Sequence, residues 1–145
     1  MSERVQDAIP RSFWIMSGTA LIWNLLGVAA FVAHMTMTEE ALMKLPEAQR
    51  LFYESIPAWA DGAFAVAVFG GVLGSLLLLL RKAWAVLVFI ASLAGLLVQL
   101  YHAFIMAGGL EVLGAGGLAM PVLTLVIAVF LVWYSRSASA RAWIS

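Results

Sequence analysis

The sequence predicts an all-α integral membrane protein: a four-helix antiparallel bundle with short amphipathic helices in its first outer loop. Three observations carry this. Of the 145 residues, 64% are hydrophobic and 11% charged, with a mean hydropathy of +1.01. A chain this short has no core large enough to hide so much apolar surface from water, whereas a bilayer solvates it directly. The apolar residues gather in four runs, each near the roughly 20 residues that a helix needs to cross the hydrocarbon core. Basic residues, finally, lie unevenly about those runs, as they do in multi-pass proteins.

The first span is read at about 13–35. It follows a charged start and contains Val28-Ala29-Ala30, which suggests a cleavable signal, but the apolar run is too long for one and is read as a retained anchor. Residues 36–57 are too polar to cross a membrane. Thr36 followed by Glu39 forms a capping-box pattern, and Pro46 suits the first turn of a second helix. Charges at Glu40, Lys44, Glu47, Arg50 and Glu54 oppose an apolar set of Leu42, Leu45, Phe52 and Ile56. That pattern predicts two short helices lying along the membrane surface, as a lid over the bundle mouth or as a gate or docking surface. The second and third spans, about 62–80 and 83–106, are joined by Arg81-Lys82 alone and must form an antiparallel hairpin. The connection 107–117 holds five glycines around Glu111 and reads as a flexible or tightly turning loop. The fourth span is read at 118–134, with Pro121 tolerated near its start. The whole chain forms a single transmembrane domain on this reading.

Arg4, Arg11, Arg81, Lys82, Arg136 and Arg141 fall on one side of the four spans, and only Lys44 and Arg50 on the other. The positive-inside rule therefore makes both termini cytoplasmic. Acidic residues run the opposite way: Glu3 and Asp7 lie inside, whereas Glu39, Glu40, Glu47, Glu54, Asp61 and Glu111 lie outside. Trp14, Trp84, Trp133 and Tyr134 at the inner ends, and Trp59 at an outer one, suit interfacial anchors.

Ala63, Ala67, Gly71 and Ser75 recur every four residues, with Gly70 and Gly74 on the adjoining face. In a bilayer apolar side chains gain little by leaving lipid, so small residues at this spacing favour close helix packing. The second span is expected at the centre of the bundle, with Ala91 and Gly95 giving the third a matching groove; self-association through the same stripe is the rival reading. No charged residue lies at mid-depth in any span, and such residues are the usual carriers of proton or ion coupling. Asn24 near the centre of the first span, His34 at its outer end, and Gln99, Tyr101 and His102 in the outer half of the third are the polar positions. Asn24, Gln99, His102 and His34 are therefore the candidate polar cavity or solute contacts. The two histidines could ligate haem iron or, with a carboxylate, zinc; they could equally be interfacial residues bonded to water or neighbouring helices. A cross-helix pair lacks the in-helix spacing of a specific metal signal, so neither a metal nor a cofactor is assigned.

The absence of cysteine excludes thiol chemistry, and the balanced net charge argues against a nucleic-acid partner. No phosphate loop, nucleophile elbow or zinc-protease pattern occurs, so no catalytic residue is assigned and the chain reads as a non-enzyme. Five stretches carry a family resemblance: Trp23-Asn24-Leu25-Leu26-Gly27-Val28, Leu45-Pro46-Glu47 through Ile56-Pro57-Ala58-Trp59, Ala67-Val68-Phe69-Gly70-Gly71, Leu80-Arg81-Lys82-Ala83-Trp84-Ala85-Val86 and Phe130-Leu131-Val132-Trp133-Tyr134-Ser135. On these the chain resembles a family of small bacterial four-helix membrane proteins that often carry the automatic label "sugar transporter". The resemblance implies a bacterial inner membrane and a sugar-like solute, and it transfers no site residue. The Pro-Gln signature of small sugar-translocating half-transporters is missing. Two functions follow. One is a non-catalytic membrane component or accessory subunit, which predicts a closed, dry bundle. The other is a small-solute permease acting as an oligomer, which predicts a cavity reaching Asn24 from the mouth beside Gln99 and His102. Beyond the lipid bilayer, the partners considered are further copies of the chain or a larger membrane complex.

Overall fold

The computed structural model describes residues 9–145, so the charges at Glu3, Arg4 and Asp7 lie outside the described residues. Among the described residues seven α-helices follow one another: α1 (Arg11–Met35), α2 (Glu39–Met43), α3 (Glu47–Glu54), α4 (Ala58–Leu79), α5 (Trp84–Tyr101), α6 (Gly109–Leu113) and α7 (Ala119–Ala140). Among the described residues there is no strand. Four helices, α1, α4, α5 with its continuation to Met106, and α7, are long and apolar enough to cross a membrane. The protein is a multi-pass membrane protein built as an all-α four-helix bundle.

Prolines punctuate the starts. Pro10, Pro46 and Pro57 each occupy the position before α1, α3 and α4, where the missing N–H costs nothing. Pro57 starts α4 four residues ahead of the expected 62 and puts Asp61 in its first turn, at the positive end of the helix dipole. The expected cap at Thr36 moves by two residues. Thr36 closes α1, its hydroxyl donating to the Val32 carbonyl at 2.7 Å, and Thr38 caps α2 by accepting from the Ala41 N–H at 3.2 Å. Both threonines precede an acidic pair, and the α1 apolar run extends just far enough to claim the first of them.

The third span does not stay α-helical. Beyond Tyr101 it widens into a π-turn over His102–Met106, with the Ala107 N–H donating to the His102 carbonyl at 2.8 Å. Gly108, at φ +66°, then breaks the helix where a side chain would be strained. The glycine-rich connection, expected as a loop, forms α6 and a 3₁₀ turn over Ala115–Leu118.

Packing runs in series: α1 on α4, α4 on α5, α5 on α7. Both faces of α4 are used, which places it at the centre. Towards α5, Gly70 lies against Ser92, Gly74 against the Phe89 ring, and Gly95 against the backbone of Ala63 and Ala67. Towards α1, Gly71 lies against Asn24, whose amide also reaches Ser75. The α5 groove is thus made by Ser92 and Gly95. Ala91, expected there, is exposed on the far side, because its 100° offset from Ser92 turns it away. The Ser92 hydroxyl donates to the Ala67 carbonyl, an interhelical bond of the kind worth about 1 kcal/mol in membranes.

The end carrying Arg11, Arg81, Lys82, Arg136 and Arg141, here the basic end, holds the main apolar core. Phe13, Ala20, Leu78, Ala85, Phe89, Leu131, Ala138 and Ile144 pack together. Both α4 and α7 finish there in the same way. Arg81 and Ala142 adopt φ +59°, and the next N–H, of Lys82 or Trp143, returns to the carbonyl five residues back, Leu77 or Ala138. These are Schellman closures with a non-glycine residue in the left-handed position. The second sends the C-terminal residues back onto the α4–α5 turn: Ser145 donates to the Arg81 carbonyl, Ala83 donates to the Ser145 carbonyl, both at 3.1 Å, and Arg81 Nε donates to the Trp143 carbonyl at 2.9 Å. This docking explains why α7 continues six residues past the expected 134: Ser135 and Ala138 are buried against the tail and core rather than exposed to headgroups. Trp14, Trp84 and Trp133 remain exposed on the periphery, as interfacial anchors require.

Candidate functional site

The series arrangement leaves its two outer members, α1 and α7, without a shared packing face. They meet at the basic end through aromatic rings, Phe13 stacking on Tyr134 at 6.5 Å and meeting Trp143 edge-on at 5.9 Å. Towards the opposite, acidic end they part, and a cleft of about 420 Å³ opens between them, backed by α4 and α5. That volume lies in the range of small-molecule sites. Trp23 and Gly27 form one wall, Thr124 and Ala128 the other, and Asn24, Gly71, Phe89, Ser92 and Leu131 the floor and back. No charged side chain is among the lining residues.

A second hollow, about 470 Å³, lies at the acidic end and is lined by His34, Phe52, Tyr53, Asp61, Gln99 and His102 among others. Ala30, Phe64, Gln99, Leu100 and Pro121 border both spaces, so the vestibule adjoins the cleft. Helix α3 roofs it, with Phe52 buried beneath and Leu42, Leu45 and Ile56 half-buried, and it packs on α6. Of the charged set, Glu40, Lys44, Glu47 and Glu54 are exposed, as the spacing predicts, and Arg50 is half-buried.

The four candidate polar residues fall at three levels. His34 and His102 both line the vestibule, but each has its own partner. His34 Nε2 lies 2.9 Å from Asp61 Oδ1, tying α1 to α4. The His102 ring is buried by the π-turn and meets Trp59 edge-on at 5.2 Å. Among the described residues no three His, Asp or Glu side chains converge as a metal site would require. Gln99 stands at the junction of vestibule and cleft. Asn24 is at the cleft floor, where Nδ2 donates to the Ala20 carbonyl at 2.8 Å and to Ser75 Oγ at 3.3 Å. Gly71 makes this possible, since a Cβ there would collide with the Asn24 amide.

Sequence reasoning missed Trp23, Thr124 and Ala128 as site residues. Thr124 was the available signal: it is the polar residue of an otherwise apolar fourth span. Glu111, placed on the outer side by the charge pattern, is exposed on α6 and lines neither space. Comparison with family models, with curated proteins and with solved structures finds no match to this chain.

Proposed function

We propose that this protein is a non-catalytic component of a bacterial inner membrane that holds one small, largely apolar molecule in the cleft between α1 and α7. One observation supports this above the rest: the apolar cleft adjoins the vestibule but is closed at the basic end, where Phe13, Leu78, Leu131 and Ile144 fill the bundle. A blind apolar site beside lipid binds; it does not conduct. The cleft departs from the closed bundle expected of an accessory subunit, and its closure at the basic end departs from a permease. The rival reading, a permease acting as an oligomer, draws on the adjacency of the vestibule to the cleft that holds Asn24. It requires the core at the basic end to part.

Filling the cleft tests the proposal. Ala128→Phe is expected to weaken binding of an apolar fluorophore to the purified protein in nanodiscs by at least about tenfold, the effect of losing about 1.4 kcal/mol of contact. Undiminished binding would place the fluorophore elsewhere.

In the proposed orientation the basic end is cytoplasmic. With no native cysteine in the chain, Glu47→Cys and Lys82→Cys, both at exposed positions, report on one site each. An impermeant maleimide added to intact cells should label the first and spare the second. The reverse pattern would invert the orientation, and labelling of both would contradict four spans.

A further inference from the structure

We propose that the molecule in the cleft carries a hydroxyl group at its polar end, and that Asn24 Oδ1 receives the hydroxyl proton. This rests on the cleft reading above and adds the chemical class of the ligand.

An asparagine amide has two N–H donors and one carbonyl acceptor. Both donors of Asn24 are committed, one to the Ala20 carbonyl and one to Ser75 Oγ. Ser75 takes this bond as an acceptor because its own proton goes to the Gly71 carbonyl at 2.8 Å. The same chain fixes which way the amide faces, since a reversed amide would set a carbonyl oxygen against that of Ala20. Among the described residues no donor reaches Oδ1. The other hydroxyls on the lining are likewise spent: Thr124 donates to the Met120 carbonyl at 2.8 Å, and Ser92 to that of Ala67. Each leaves only lone pairs available.

The floor of the cleft is therefore an acceptor site in apolar surroundings with no cation near it. At Oδ1 a carboxylate or phosphate would bring its charge against lone pairs, with no cation on the lining to offset its lost hydration. An ether or ester oxygen would face an acceptor with an acceptor. A neutral O–H satisfies Oδ1 without burying a charge. An apolar body is required by the remaining walls, which are aliphatic and aromatic. A long-chain or polycyclic alcohol fits both demands; a sugar, with many hydroxyls and no apolar body, does not.

Three probes of one chain length separate the head groups: 1-dodecanol, its methyl ether and dodecanoate, each competing with the apolar fluorophore in nanodiscs at matched membrane concentration. The alcohol should displace the fluorophore at about one-tenth the concentration needed for the ether, the effect of one buried hydrogen bond made or left unmade, and dodecanoate should be weaker than the alcohol. In Asn24→Leu the alcohol and ether should become equal within about twofold, each referred to that variant's own affinity for the fluorophore. Equal potency of alcohol and ether in the wild-type protein, or dodecanoate the strongest, would overturn the hydroxyl assignment. That comparison needs no variant, so it decides the matter even if Asn24→Leu does not fold. Failure of Ala128→Phe to reduce fluorophore binding would instead remove the cleft itself.

Discussion

Gly95→Leu is expected to separate α4 from α5 and cost about 3 kcal/mol or more of bundle stability. A Cβ at this position would lie 2.8 Å from the Ala63 carbonyl oxygen and 3.1 Å from the Ala67 nitrogen. Both are backbone atoms of a helix and cannot rotate away, so the helices must move apart. Separation then takes further contacts with it, because Gly70 is already within 3.0 Å of Ser92 by the same measure and Ser92 bonds to Ala67. In water a loosened interface keeps much of its hydrophobic gain. In lipid it does not, since tails are as apolar as leucine and association depends on close contact, which falls off within about an ångström. Unfolding of the purified protein by titration with sodium dodecyl sulfate measures the effect. Ala91→Leu is the control, since Ala91 is exposed, and it should change stability by less than about 0.5 kcal/mol. If the two variants behaved alike, the α4–α5 face would be other than described.

That pair of variants also marks how far the sequence could be read. Spacing by four identifies a stripe of small residues on α4, and the shortness of Arg81-Lys82 forces α5 alongside it. Neither says which of Ala91 and Ser92 turns inward, because that depends on the crossing of two helices that are apolar all round. The amphipathic helices α2 and α3 were legible because water on one side and lipid on the other imprint a period on them. The transmembrane helices carry no such imprint, so the parting of α1 from α7, and with it the cleft, left no trace in hydropathy. Asn24 stood out as a polar residue at mid-depth, but its role as a bare acceptor depends on Ser75, 51 positions away, and on a glycine at 71. His34 and His102 were noticed as a pair. The structure gives them different neighbours, Asp61 and Trp59, because the π-turn buries His102 separately. The C-terminal tail was illegible altogether: five residues have no period, and their partners lie around 60 positions upstream.

Ile144→Asp should release that tail, at a cost of about 3 kcal/mol. Ile144 is 2% exposed in the core at the basic end. A carboxylate held there without a partner would cost far more than the tail's docking is worth, so the tail leaves rather than burying the charge, and the loss is capped at the docking energy. That energy comprises about 2 kcal/mol for the isoleucine side chain and a modest net term, about 1 kcal/mol, for hydrogen bonds at an end already wet. Release also frees Trp143 from Phe13 and from the Arg141 guanidinium, which lies 5.2 Å over its ring. Hydrogen exchange should report it directly, with the Ala83 and Ser145 amides losing protection together, since each bonds to the other strand of the same short pairing. Ile144→Leu, which keeps the apolar volume, should retain both stability and protection. Binding in the cleft should survive the release. Asn24 stands eleven residues along α1 from Phe13, about 16 Å at the rise of a helix, and between them Ala20 and Ser17 remain packed against the bundle. A variant with unchanged stability and a still-protected Ala83 amide would show that the tail is not docked. A variant that lost fluorophore binding as well would show that the cleft depends on the closure beneath it, and that α1 and α7 are held at their separation by the tail.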